Sequence, residues 1–152
     1  MIFVECKPDR VLVETVTNIS RKEIRHAGNK PRVCKELMKR RGCKGLVDED
    51  PWSVQPPYLK KLELIEDSSS FGIKLLHDAS RNNYVIVLCP RLEEWILNAA
   101  KEMQIDLKKY NLPEDGERFH REININLEKF KKLITELKSS SRRLKKLQNL
   151  LK

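Results

Sequence analysis

The sequence predicts an α/β fold: a mostly parallel sheet with flanking helices, followed by a C-terminal helical extension. Short apolar runs alternate with amphipathic stretches as strand, helix, strand, helix, strand within the first fifty residues, and such alternation builds a largely parallel layer. Tyr84–Leu88 is an unbroken apolar run, as expected of a strand buried on both faces. Past Asn111, apolar residues recur at three- and four-residue steps, the period of a helix.

Ile2-Phe3-Val4 reads as a buried strand that ends at Glu5. After Lys7-Pro8, Asp9 is placed as the N-cap of a helix over Arg10–Thr17. Ile24–Ala27 is a short strand, and Gly28-Asn29 turns the chain into a helix from Pro31 to about Arg41. Gly42 stops that helix, and Gly45-Leu46-Val47 leads as a strand into Asp48-Glu49-Asp50-Pro51. A loop containing Trp52 and Tyr58 precedes strands over Leu62–Ile65 and Phe71–Leu76, separated by Asp67-Ser68-Ser69-Ser70. Arg81-Asn82-Asn83 turns into the Tyr84–Leu88 strand, and Pro90 opens a helix through about Met103. An acidic linker, Pro113–Glu117, then precedes helices over about Arg121–Lys138 and Arg142–Leu151, interrupted by Ser139-Ser140-Ser141. The domain boundary is drawn there: an α/β domain over 1–112 and a basic helical extension over 113–152.

At 152 residues the chain has material for one real core. Its 39% hydrophobic and 35% charged residues exclude a collagen-like, low-complexity or wholly disordered chain. No apolar stretch approaches membrane-spanning length, and Met1–Glu5 lacks the features of an export signal. Four cysteines without a CxxC pair read as reduced thiols, so the expectation is a soluble cytoplasmic protein with no membrane partner. The net charge of +9 is uneven. Arg21–Lys44 holds ten Lys/Arg against two Glu, and Glu128–Lys152 holds nine against two. The body between and around them is therefore net acidic. Clustered Lys/Arg suit a polyanion such as DNA or RNA, while a solvated helix surface accounts for them equally well.

Two acidic sets, Glu5 and Asp48-Glu49-Asp50, each follow a predicted strand. In open α/β sheets, sites form beyond the carboxyl ends of the strands. If the two strands are neighbours, Glu5, Asp48 and Asp50 converge, with Glu49 pointing away. Hard oxygen ligands without His or Cys suit Mg²⁺ or Mn²⁺. A DxD also occurs in turns and caps, and Glu93 and Glu94 fit a helix's first turn as well as an enlarged acidic cluster. Asp9 is a helix cap first and a supporting carboxylate second. His26, His77 and His120 stand apart from one another and are treated as ordinary.

Val4-Glu5-Cys6-Lys7-Pro8-Asp9 and Gly45-Leu46-Val47-Asp48-Glu49-Asp50 resemble the Toprim (topoisomerase–primase) domain, and in particular small stand-alone Toprim-like proteins and the Toprim parts of OLD-type nucleases. The resemblance covers about residues 1–100. It implies a Rossmann-like sheet, Glu5 as general acid/base, Asp48 and Asp50 as holders of Mg²⁺ or Mn²⁺, and Asp9, Glu93 and Glu94 as additional acidic residues. The family's glycine after the glutamate is Cys6 here, and the motif spacing is short. The expected function is a Mg²⁺-dependent, nuclease-like enzyme acting on nucleic-acid phosphodiesters, with Arg25, Lys30, Arg32 and Lys35 drawing in the polyanion. The alternative is a non-catalytic Toprim-like module that binds nucleic acid or protein. The last helix is too short to stand alone in water, and a homodimer through the C-terminal helices, or docking on an anionic partner, is expected to support it.

Overall fold

A computed structural model describes all residues 1–152. Six strands form one sheet in the order β2-β1-β3-β6-β5-β4: β1 Ile2–Val4, β2 Ile24–His26, β3 Lys44–Asp48, β4 Glu63–Ser68, β5 Ile73–Asp78 and β6 Asn83–Leu88. The first four in that order run parallel, and β5 and β4 complete the sheet as an antiparallel meander. The fold is a mostly parallel, Rossmann-like α/β sheet, as the alternation of the first fifty residues implies.

Strand residues alternate between two faces. Ile2, Val4, Leu46, Ile73, Ile86 and Leu88 turn to one face, beneath α1 (Lys7–Thr17), α4 (Leu92–Glu102), α5 (Gly116–Ile125), α6 (Leu127–Lys138) and α7 (Arg142–Leu151). Phe3, Val47, Val85 and Val87 turn to the other, which meets α2 (Lys30–Met38) and the single turn α3 (Pro57–Lys60). Gly45 lies directly under α2. A Cβ there would stand 2.9 Å from Leu37 Cδ1 and 3.1 Å from Val33 Cγ1, so the close helix approach requires glycine. Because α1 and α2 lie on opposite faces, the chain reverses direction across the sheet between β1 and β3. That junction is the position where α/β sheets open a crevice.

Several boundaries differ from expectation. The first helix begins at Lys7 with Cys6 as N-cap, and Pro8 fits inside its first turn because the N–H it lacks would be unpaired there anyway. Asp9 is therefore not the cap but the third helical residue. Its carboxylate accepts hydrogen bonds from the Cys6 N–H at 3.1 Å and thiol at 2.8 Å. The second helix stops at Met38, and the helix after Pro90 starts at Leu92. The strands over Leu62–Ile65 and Phe71–Leu76 start one and two residues later, as β4 and β5, and β4 runs on through Asp67 and Ser68, residues expected to separate them. The acidic linker is the start of α5, with Asp115 accepting from the Arg118 N–H at 3.1 Å, and the helix over Arg121–Lys138 is two helices divided at Asn126.

The C-terminal helices are not a separate body. Leu144, Leu147 and Leu151 of α7 are buried in the same core as Leu12, Leu46 and Trp95. Lys44 of β3 donates to the Leu150 carbonyl at 2.9 Å, and Gln148 donates to the Val16 carbonyl at 2.8 Å. The surface that α7 needs is thus supplied by α1, α4 and α6. Residues 1–112 and 113–152 share one core, and the boundary drawn between them falls inside it. No helix is long and apolar enough to cross a membrane.

Candidate functional site at the carboxyl edge

β1 and β3 are neighbours, with Val4 paired to Leu46, so Glu5 and Asp48 emerge side by side. Glu5 Oε2 accepts the Asp48 N–H at 2.6 Å. Asp48 Oδ1 in turn accepts the Leu92 N–H at 3.0 Å and so caps the first turn of α4. The same edge carries Asp9 on α1 (3% exposed) and Glu93 on α4 (7% exposed). Four carboxylates, from the ends of β1 and β3 and from α1 and α4, thus share one edge of the sheet.

Burial is the main force on their protons. It raises Asp48 far above the usual carboxylate range, and the negative charges of Asp9, Glu5 and Glu93 raise it further. Burial also raises Asp9, against the lowering hydrogen bonds from Cys6, with Glu5 and Glu93 adding to the rise. Glu5 is raised for the same leading reason, opposed by the Asp48 N–H and by the positive charge of Lys30. The Cys6 thiol, buried beside Asp9, is pushed far upward and is held as a thiol. These groups are short of positive charge, the electrostatic condition that a cation relieves.

Asp50 joins Asp48 in a cleft of about 470 Å³ with Arg91, Glu93, His120 and Arg121. Both residues line this one cleft, but extended-strand alternation is not the cause. Asp50 has left-handed backbone (φ +41°), fixed by its N–H donating to the Pro90 carbonyl at 2.8 Å. Glu49 points elsewhere, to Lys74 Nζ at 2.7 Å. Glu94 stands apart from the buried acids, paired with Arg91.

The donor chemistry fits a hard divalent cation, with Asp48 and Asp50 as the residues to hold it. The Asp50 carboxylate accepts no hydrogen bond and Asp48 has one oxygen uncommitted. As the side chains stand, no three His, Cys, Asp or Glu groups already surround a common point.

Of the expected polyanion contacts, Arg25, Arg32 and Lys35 line a hollow of about 280 Å³ at the β2 edge, together with His26 and Lys39. His26 is pushed below its ordinary value by burial and by Arg10 and Lys7. Lys30 is not among them. It is 7% exposed, and its ammonium donates to the Glu49 carbonyl and to Gln55 Oε1, each at 2.9 Å.

Three residues escaped sequence reasoning: Arg91, Arg121 and His120. His120 Nδ1 is bonded to the buried Glu93 carboxylate, and both arginines line the acidic cleft. Arg121 also lines an adjoining hollow of about 560 Å³ with Lys108 and Arg118. The only signal was that α5 is strongly amphipathic with an Arg- and His-bearing polar side, and nothing local says that this side meets α4. Family models, curated proteins and solved structures offer no match to this chain.

Proposed function

We propose that the chain is a Toprim-type enzyme that uses Mg²⁺ or Mn²⁺ to act on nucleic-acid phosphodiesters. The observation that carries this reading is that the Glu5 carboxylate accepts the Asp48 N–H at 2.6 Å, which sets Glu5 beside the Asp48–Asp50 cleft at the point where the sheet changes direction. Asp48 and Asp50 hold the ion. When bound, it neutralises charge building on the phosphoryl group and acidifies water. Glu5, whose proton affinity is raised by burial, accepts and returns the proton. Arg91 and Arg121 face the acids across the cleft and steady the phosphates on either side. Arg25, Arg32 and Lys35 hold the strand further out.

A second reading, a non-catalytic binding module, has its own support. Cys6 replaces the glycine of the resembled motif, and its thiol engages Asp9, while Glu5 and Asp48 each spend an oxygen on a backbone N–H. Calorimetric Mn²⁺ titration of wild type and of Asp48→Asn/Asp50→Asn, run beside cleavage of labelled DNA and RNA, separates the two. Lost heats and lost cleavage in the variant are expected. Equal heats remove the metal site. Salt-sensitive binding without cleavage favours the module.

A further inference from the structure

On the α2–α3 face, a hollow of about 410 Å³ opens next to the Asp48–Asp50 loop. Its floor is Val47, Val87 and Leu76, from β3, β6 and β5, with Leu64 of β4 beside Leu76 in register. Only the single turn α3 reaches this part of the sheet, bringing Leu59 and Lys60 to the hollow, because α2 stands over β1 and β3. Leu64 is 53% exposed as a result.

The rim carries three lysines, Lys30, Lys60 and Lys74, beside Asp48 and Glu49. Lys74 is neutralised by Glu49, but Lys30 is a buried ammonium whose two bonds go to neutral oxygens, with no carboxylate at ion-pair distance. Glu5 is close enough to feel its charge, but a buried cation without a direct ion pair is costly, and an anion entering the hollow supplies one. Pro51 and Gln55 carry the rim into the loop that bears Trp52 and Val54. These two are 96% and 93% exposed, the most exposed large apolar side chains of the chain. An indole left wholly in water gains by stacking on a planar ring.

We propose that this hollow is a nucleotide subsite: one unpaired base lies on the Val47/Leu76/Val87 floor against Trp52, and its phosphate meets the lysines. This rests on the nucleic-acid reading above and names which part of the strand is held where. A flat floor of alternate sheet residues suits a planar ring, and the volume is in the range of small-ligand sites. Asp48 borders both this hollow and the acidic cleft, so a strand with its base here continues past the carboxylates. A base stacked inside a duplex cannot enter.

Trp52 reports occupancy, because Trp95 is fully buried with its indole N–H on the Phe71 carbonyl at 2.8 Å. Iodide quenching therefore sees Trp52. The titrations are run in EDTA with a short oligothymidylate, thymidine monophosphate, ribose 5-phosphate and a blunt duplex. Protection by the two thymidine probes is expected, with ribose 5-phosphate and duplex at least about tenfold weaker. Leu64→Ser and Lys60→Gln, both at exposed positions, are expected to weaken oligothymidylate binding about tenfold at unchanged thermal midpoint, while Lys145→Gln on α7 leaves it unchanged. Tighter binding of the oligomer than of the mononucleotide assigns the subsite to a strand, and equal binding assigns it to free nucleotides. Three results overturn the proposal: no saturable protection, ribose 5-phosphate binding as well as thymidine monophosphate, or both pocket variants behaving as wild type. Because metal is absent throughout, failure of cleavage or of Mn²⁺ binding leaves these outcomes unaffected. An enzyme that cleaves normally with both pocket variants binding as wild type loses this inference alone.

Discussion

The two faces of the sheet are built to different depths. One buries 26 apolar residues beneath five helices, including Trp95, Phe119 and Phe130. The other buries nine, beneath α2 and the single turn α3, and leaves Leu64 of β4 half exposed. Stability is thus concentrated on one side and accessible surface on the other. The carboxyl edge lies between them. Asp9 and Glu93 come from helices of the thick face and are buried, held by Cys6 and His120, while Asp48 opens onto both the acidic cleft and the hollow of the thin face. A site on a rigid support with an open approach is what binding chemistry requires.

Removing α7 attacks the thick face most directly. Truncation after Lys138 deletes Leu144, Leu147 and Leu151, each fully or almost fully buried. At roughly 1.5–3 kcal/mol per buried side chain the loss is about 5 kcal/mol or more, comparable with the whole stability of an ordinary domain. Circular dichroism and amide dispersion are expected to show a loosened or unfolded chain. An unchanged melting midpoint would mean that α7 is not part of the core.

A matched pair of substitutions sharpens the same contrast. Phe130→Ala, at a position with no exposure and an edge-on contact to Phe119, is expected to cost about 3–5 kcal/mol in denaturant unfolding. Leu64→Ala on the thin face, at a half-exposed position, is expected to cost under about 1 kcal/mol. Similar losses would erase the distinction between the faces.

Some of this was legible in the residues alone. β1, β3 and β6 announce themselves as short apolar runs, but alternation with helices leaves open which strands are neighbours. Glu5, Asp48 and Asp50 could be brought to one edge only on the condition that β1 and β3 pair, because strand order is set by long-range packing. Asp9 was misplaced because Lys7-Pro8 resembles a break, although proline is at home in a first turn. Lys30 looked like one more surface cation, and only the crossing of α2 over the β3 loop buries it. His120, Arg91 and Arg121 depend on how α5 meets α4, a long-range contact that no local pattern encodes.

Thin does not mean loose where α2 sits. Gly45→Ala places a methyl group 2.9 Å from Leu37 Cδ1, and the well-packed helix has to shift. A cost of about 1–3 kcal/mol is expected from overpacking, read as a lowered denaturation midpoint. A neutral substitution would show that α2 rides freely over the sheet.

A modest effect falls on the edge between the faces, and its sign is the informative part. Burial, followed by the charges of Asp9, Glu5 and Glu93, raises the folded-state proton affinity of Asp48 above that of the unfolded chain. For such a group the folded state holds more protons than the unfolded state at intermediate pH. Its contribution to stability is complete below the ordinary carboxylate value of about 3.9 and is lost as pH rises toward the raised value. Asp48→Asn removes this titration while keeping the Oδ1 that accepts the Leu92 N–H. The metal-free variant is therefore expected to match wild type near pH 4 and to exceed it by about 1–2 kcal/mol at pH 8, a few degrees in melting midpoint. Saturating Mn²⁺ is expected to close the gap by stabilising wild type alone. Melting curves taken across pH in EDTA decide the first half. If the two proteins track each other throughout, the carboxylates of the edge are not crowded, and the electrostatic reason for a cation there disappears.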